Sequence, residues 1–241
     1  MALPKINEHL KFTMEIPSTG KKVKYRPYLV KEEKILLQAF ESQSMEVCLE
    51  AMCDTLESCI ESKQKVDVAS LPTFDLEYMF LQVRSKSVGE TSDIMMKCKN
   101  EDCKEENRVN VDLSAVEVDY NRNDSFIEIT DGIKVEMTYP RYKSLVGMQE
   151  EEGKEDVNMD GVVGLLRDCM VAVHTEDERI DCSEQSKEEL DIFISSMTST
   201  QLQKLTSFLE NMPALKHDVA FKCTKCGTMN EVHLKGLADF F

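Results

Sequence analysis

The period of apolar and polar positions changes along the chain, and the changes mark its elements. Weak alternation over 10–16, a Pro17-Ser18-Thr19-Gly20 turn and an extended run over 21–28 predict an opening β-hairpin. Helical spacing follows over 31–42 and 44–62. The second of these places Met45, Cys48, Leu49, Met52, Leu56, Cys59 and Ile60 on one stripe, so Cys48 and Cys59 read as core. The segment 73–87 is apolar on two sides, with Leu76, Phe80 and Val83 on one and Phe74, Tyr78 and Leu81 on the other. A helix of that kind is central or docked to a partner.

Strands are expected at 93–97 and 107–113, then a hairpin over 126–139. There Ile127, Ile129, Ile133, Val135 and Met137 alternate around Asp131-Gly132, a pair suited to a type I′ turn. The acidic stretch 149–160 reads as a solvated loop and as the boundary between two halves, 1–148 and 161–241. A helix over 157–173 carries Val162, Val163, Leu166, Cys169 and Met170. Ser186 with Glu189 and Thr198 with Gln201 have capping-box spacing, so two more helices begin there. The second presents Leu202, Leu205, Leu209 and Met212 on one face, and Pro213 stops it. Strands at 218–222 and 231–234 precede the tail Leu237-Ala238-Asp239-Phe240-Phe241. The whole reads as an α+β fold of hairpins and amphipathic helices.

Charge narrows the function. With 45 acidic against 29 basic residues and a net charge of −16, the surface repels phosphate backbones and anionic lipid, so nucleic acid is a poor partner. No apolar run approaches the roughly 18 residues needed to span a bilayer, and the first ten residues hold no signal core, so a cytoplasmic protein is expected. Nine cysteines, an odd number without a secretory signal, read as reduced thiols or metal ligands.

Four of them stand out. Ile94-Met95-Met96-Lys97-Cys98 with Cys103 and Val109-Asn110-Val111 parallels Val219-Ala220-Phe221-Lys222-Cys223 with Cys226 and Val232-His233-Leu234. Both are strand, cysteine turn, strand. Two such knuckles supply the four sulfurs of a closed structural zinc site, so Cys98, Cys103, Cys223 and Cys226 are the expected ligands of one zinc in a split ribbon. The metal would clamp segments distant in sequence into one structural unit. The Cys98–Cys103 spacing is wider than the usual two intervening residues. A redox role for Cys223-x-x-Cys226 lacks the surrounding βαβ pattern.

Other signals fall short. Asp156, Asn158, Asp160 and Gly161 begin a calcium loop, but Arg167 occupies the position that needs a bidentate carboxylate. The four histidines have no metalloprotease spacing, and His233 is at most a substitute ligand. No nucleophile elbow or phosphate loop occurs, so neither catalysis nor a small-molecule substrate is expected. The fourteen methionines sit mostly at helical core spacing.

The stretches Leu3-Pro4-Lys5-Ile6, Ile16-Pro17-Ser18-Thr19-Gly20, Tyr25-Arg26-Pro27-Tyr28-Leu29-Val30-Lys31-Glu32-Glu33 and Leu71-Pro72-Thr73-Phe74-Asp75-Leu76-Glu77-Tyr78 resemble the baseplate hub assembly protein family of T-even-type contractile-tailed phages. The resemblance continues through Arg84-Ser85-Lys86-Ser87-Val88-Gly89, Met212-Pro213 and the second knuckle, and so covers most of the chain. It implies a late viral protein that helps build the central hub of the tail baseplate in the host cytoplasm. Its partners would be other hub and tail proteins. Such a protein either leaves as an assembly chaperone or stays in the virion. The candidate partner contacts are Tyr25, Arg26, Tyr28, Asp75, Glu77, Tyr78, Arg84, Phe240 and Phe241. Aromatic and Arg residues are enriched in interfaces and in cores alike, so each also reads as an internal contact. A zinc-ribbon nucleic-acid binder and a thiol redox enzyme remain as competing classes. The first requires a basic face, the second a reactive thiol in the metal-loaded protein.

Overall fold

The computed structural model describes residues 10–42, 44–61, 66–120, 124–141, 144 and 159–240. The acidic stretch up to 158 and Phe241 lie outside them. The fold is mixed α and β, with hairpins and helices, and divides into two compact units.

Unit 1 comprises 1–68, 74–119 and 214–241. Its first hairpin pairs β1 (Phe12–Glu15) with β2 (Lys22–Tyr25), and two helices follow, α1 (Val30–Glu41) and α2 (Met45–Cys59). Ser44 caps α2 by accepting from the Val47 N–H, and Leu56 and Cys59 on the expected stripe are fully buried. The helix α3 (Thr73–Ser87) carries buried side chains on several faces: Phe74, Leu76, Met79, Phe80, Leu81 and Val83. Its two-sided pattern is therefore that of a central helix.

Two longer hairpins complete the unit. Strand β3 (Thr91–Lys97) pairs antiparallel with β4 (Glu106–Asp112). A short β5 (Glu117–Asp119) pairs with β10 (Ala214–Lys222), which also pairs antiparallel with β11 (Met229–Lys235). Alternation turns Met96, Val111, Val219, Phe221 and Leu234 into a core shared with Leu81, Leu113, Leu215 and Phe240. The chain end is tied down where Ser92 Oγ donates to the Phe240 carbonyl at 3.0 Å.

Unit 2 comprises 69–73 and 120–213. Its antiparallel sheet runs β6 (Phe126–Thr130), β7 (Ile133–Met137), β8 (Met170–His174), β9 (Arg179–Asp181). It packs with α4 (Met159–Cys169), α5 (Lys187–Ser195) and α6 (Ser199–Glu210) around Val135, Leu166, Cys169, Leu205 and Phe208. The capping boxes at Ser186 and Thr198 form as expected.

Two expectations are corrected. The helix expected to run to 173 ends at Cys169, because Met170, Ala172 and Val173 are buried in β8 between two neighbouring strands. In the Asp131-Gly132 turn only Gly132 lies at positive φ (+77°), whereas type I′ requires both residues there. The two units divide at 119/120 and 213/214, where β10 pairs with β5 and draws the C-terminal strands into unit 1, while the acidic stretch expected as the boundary lies, up to 158, outside the described residues.

Candidate metal centre

The centre is built by the turns of the two cysteine hairpins. Cys98 follows β3, and its N–H donates to the Glu105 carbonyl at 2.8 Å, while the N–H groups of Cys103 and Lys104 both donate to Asn100 O at 3.0 Å. Lys104, at φ +48°, is the only described non-glycine residue with positive φ. The second turn repeats the plan: Cys223 N–H donates to Thr228 O at 2.9 Å, Gly227 N–H to Cys223 O at 3.0 Å, and Gly227 takes positive φ (+76°). In each turn the residue after the second cysteine adopts the left-handed region, which Gly occupies without strain and Lys104 does not.

The four sulfurs converge to within 4.8 Å of one another. Cys98 and Cys226 are 3.7 Å apart, and Cys103 and Cys223 are 3.8 Å apart, so each near pair crosses from one hairpin to the other. These separations are far beyond a disulfide bond. Four sulfurs at about 2.3 Å from one tetrahedral centre would lie about 3.8 Å apart, so the donor set and its spacing fit a thiophilic dication. Cys98 and Cys223 are buried and Cys226 is exposed at the rim.

Electrostatics separate the thiols. The Cys226 backbone N–H, working against burial and joined by the Lys225 N–H, brings Cys223 down to about 6. The Thr228 side chain, whose Oγ1 lies 3.2 Å from Cys226 Sγ, lowers Cys226. Cys103, pulled down by the backbone at Glu105, is nevertheless pushed up to about 11 by burial and the neighbouring Cys226 and Cys223. Without an ion the cluster therefore keeps protons on part of its sulfurs. A bound dication would replace them, so metal binding releases protons and weakens in acid.

Two buried asparagines brace the site. Asn107 on β4 and Asn230 on β11 are 3% and 1% exposed. Sequence reasoning missed both, yet each stands four residues after the second cysteine of its knuckle, a shared offset that was a readable signal. Among the other candidates, His233 is paired with Asp218 through Nδ1 at 2.6 Å and is not in the cluster. Arg167, in the calcium-like motif, pairs with Asp191 at 2.8 Å and 2.9 Å.

The candidate partner contacts among the described residues lie inside unit 1, and Phe241 lies outside the described residues. Tyr25 is buried, its hydroxyl is 3.5 Å from Gln82 O, and burial, with Tyr78 and Glu90 nearby, pushes it up to about 12. Arg26 donates to Glu32 at 2.8 Å and to Ser58 O at 3.0 Å, and the Tyr28 N–H donates to Ser87 Oγ at 2.9 Å. Asp75 is fully buried and accepts from the Ser18 N–H at 2.9 Å and from its hydroxyl. Burial pushes the Glu77 carboxyl up to about 7, against a hydrogen bond from the Leu237 backbone. Tyr78 packs on the core with Phe240, and burial lowers Arg84. Tyr25, Asp75 and Phe240 are thus core groups, because α3 is packed on several sides instead of presenting a free face.

Among the described residues no helix is long and apolar enough to cross a membrane. Neither the curated proteins nor the solved structures contain a match to this chain. Residues 8–241 match the family model described as T4 bacteriophage base plate protein, and the chain belongs to that family.

Proposed function

We propose that this baseplate protein acts in assembling the central hub of the tail, through protein contacts and without catalysis, and that its four clustered cysteines hold one structural zinc. The observation that carries the zinc is the pair of cross-hairpin sulfur separations, 3.7 Å and 3.8 Å, which suit a closed tetrahedral ion. With all four positions taken by protein sulfur, such an ion keeps no open site for water or substrate, which fits a staple. The acidic balance of the chain favours protein partners over nucleic acid. A second reading, a permanent structural component, draws support from the family description itself, which names a base plate protein.

Native mass spectrometry of the protein recovered from infected cells and from finished particles separates the two. One zinc, hub proteins as companions and absence from particles are expected for a chaperone. A fixed copy number in the particle would establish the structural role instead.

A further inference from the structure

We infer that Asn107 and Asn230 are the positioning residues of the metal centre, a reciprocal pair of cross-ties that locks the two hairpins in register so that the four sulfurs converge before any ion binds. The inference rests on the metal reading above.

Asn107, on the first hairpin, reaches the second. Its Oδ1 accepts from the Thr224 N–H at 2.9 Å and the Thr224 hydroxyl at 3.0 Å. Its Nδ2 donates to Glu105 O at 2.9 Å within its own turn and lies 3.7 Å from Cys223 Sγ across the site. Asn230, on the second hairpin, mirrors this. Its Oδ1 accepts from the Lys99 N–H at 2.8 Å, and its Nδ2 donates to Thr228 O at 2.9 Å.

The backbone contacts correspond one to one. Thr224 and Lys99 each follow the first cysteine of a knuckle, and Glu105 O and Thr228 O are the carbonyls that accept from the two first cysteines. Each amide therefore joins its own turn to the opposite turn, and Asn107 also reaches a ligand sulfur there. A buried amide left without partners costs about 1–3 kcal/mol, so these groups hold the hairpins at one register and penalise any slip. Two residues more in the Cys98–Cys103 turn than in the Cys223–Cys226 turn leave the cross-ties unchanged, because both asparagines are set by the strand that follows. Hydrogen bonds that orient metal ligands typically contribute 10–100-fold to affinity.

The test uses the full-length protein, with Asn107→Ala, Asn230→Ala, their combination, and exposed Asn110→Ala as control. Zinc affinity is measured by chelator competition. In metal-free protein a short dibromobimane bridge records which thiols lie together, mapped by mass spectrometry. Wild type and the control should bridge across the hairpins, Cys98 to Cys226 and Cys103 to Cys223. Each single variant should lose roughly 10–100-fold in zinc affinity and shift bridging to Cys223 with Cys226 in its own turn. Asn107→Asp keeps the acceptor for Thr224 and removes the donor, and should retain the fold with a smaller affinity loss. Variants that bridge across the hairpins and bind zinc like wild type would overturn the inference. A wild type that binds no zinc would instead overturn the metal reading, while the bridging pattern still decides whether the asparagines set the register.

Discussion

The unit that carries the clustered cysteines is assembled from three stretches of chain, whereas the other is nearly one continuous stretch, 120–213, with only 69–73 added. Their cysteines differ accordingly. In unit 2, Cys169 and Cys182 are buried among apolar side chains, and burial pushes the Cys169 thiol up to about 12 and Cys182 in the same direction. These are small apolar fillers. In unit 1, Cys103 and Cys223 meet although they stand 120 positions apart in the sequence, and Cys223 is pulled down to about 6 by backbone donors. A continuous unit closes its core with neighbours in sequence. A discontinuous one must bring distant strands together, which is where a cross-link contributes most.

The largest effect should come from removing that link. Cys223→Ser, or chelation of the metal, should destabilise unit 1 by on the order of 5 kcal/mol, the scale for a cross-link closing a loop of this length. Hydrogen exchange should then speed up in β3, β4, β10 and β11 and stay slow in β6–β8. Equal loss in both units would break the distinction.

The converse perturbation is Leu205→Ala, at a fully buried position of unit 2. It should cost about 2–5 kcal/mol through the cavity it leaves. Zinc content, read by metal analysis of the purified variant, should not change.

Glu77 sharpens the picture of unit 1 through pH. Its ordinary value is 4.5 and its folded value about 7, so the folded protein holds this proton more tightly than the unfolded chain. The stabilisation is complete below about pH 4.5 and is lost as pH rises through about 7, by at most about 3 kcal/mol. Glu77→Gln should therefore match wild type at pH 4.5 and exceed it at pH 8 in denaturant melts. Identical pH profiles for the two would show that Glu77 titrates as an ordinary carboxyl.

Thr198→Ala removes the side chain that caps α6 and should cost about 1 kcal/mol, confined to unit 2. Cys48→Ser should cost less still, under about 1 kcal/mol, because this half-buried thiol serves a local contact, 3.3 Å from Ala39 O. If thermal melts moved equally for Cys48→Ser and Cys223→Ser, the staple would not exist.

What could be read from the chain beforehand follows from where each signal lives. Helix α3 and the capped starts of α5 and α6 are written in contiguous residues, and they fold as read. The cysteine knuckles were legible because Cys98–Cys103 and Cys223–Cys226 are each bracketed by alternating strands. Strands β5 and β9 were not, since each has three residues and exists only through a partner made elsewhere, β10 or β8. The same kind of non-local pairing turned Met170 from helix end to strand start. Tyr25 and Asp75 stayed ambiguous because a large aromatic and a lone carboxylate look alike at an interface and in a core that satisfies them, here through Gln82 and Ser18. Asn107 and Asn230 were overlooked for a related reason: a buried asparagine has no period of its own, and their signal lies only in the offset the two knuckles share.

The central claim is that one zinc staples the two hairpins, and native mass spectrometry of the full-length protein prepared with zinc tests it most directly. One zinc per chain is expected for wild type and for Cys169→Ser, and none for Cys98→Ser or Cys223→Ser. A wild type that carries no metal, or a Cys98→Ser and a Cys223→Ser that both retain it, would contradict the account.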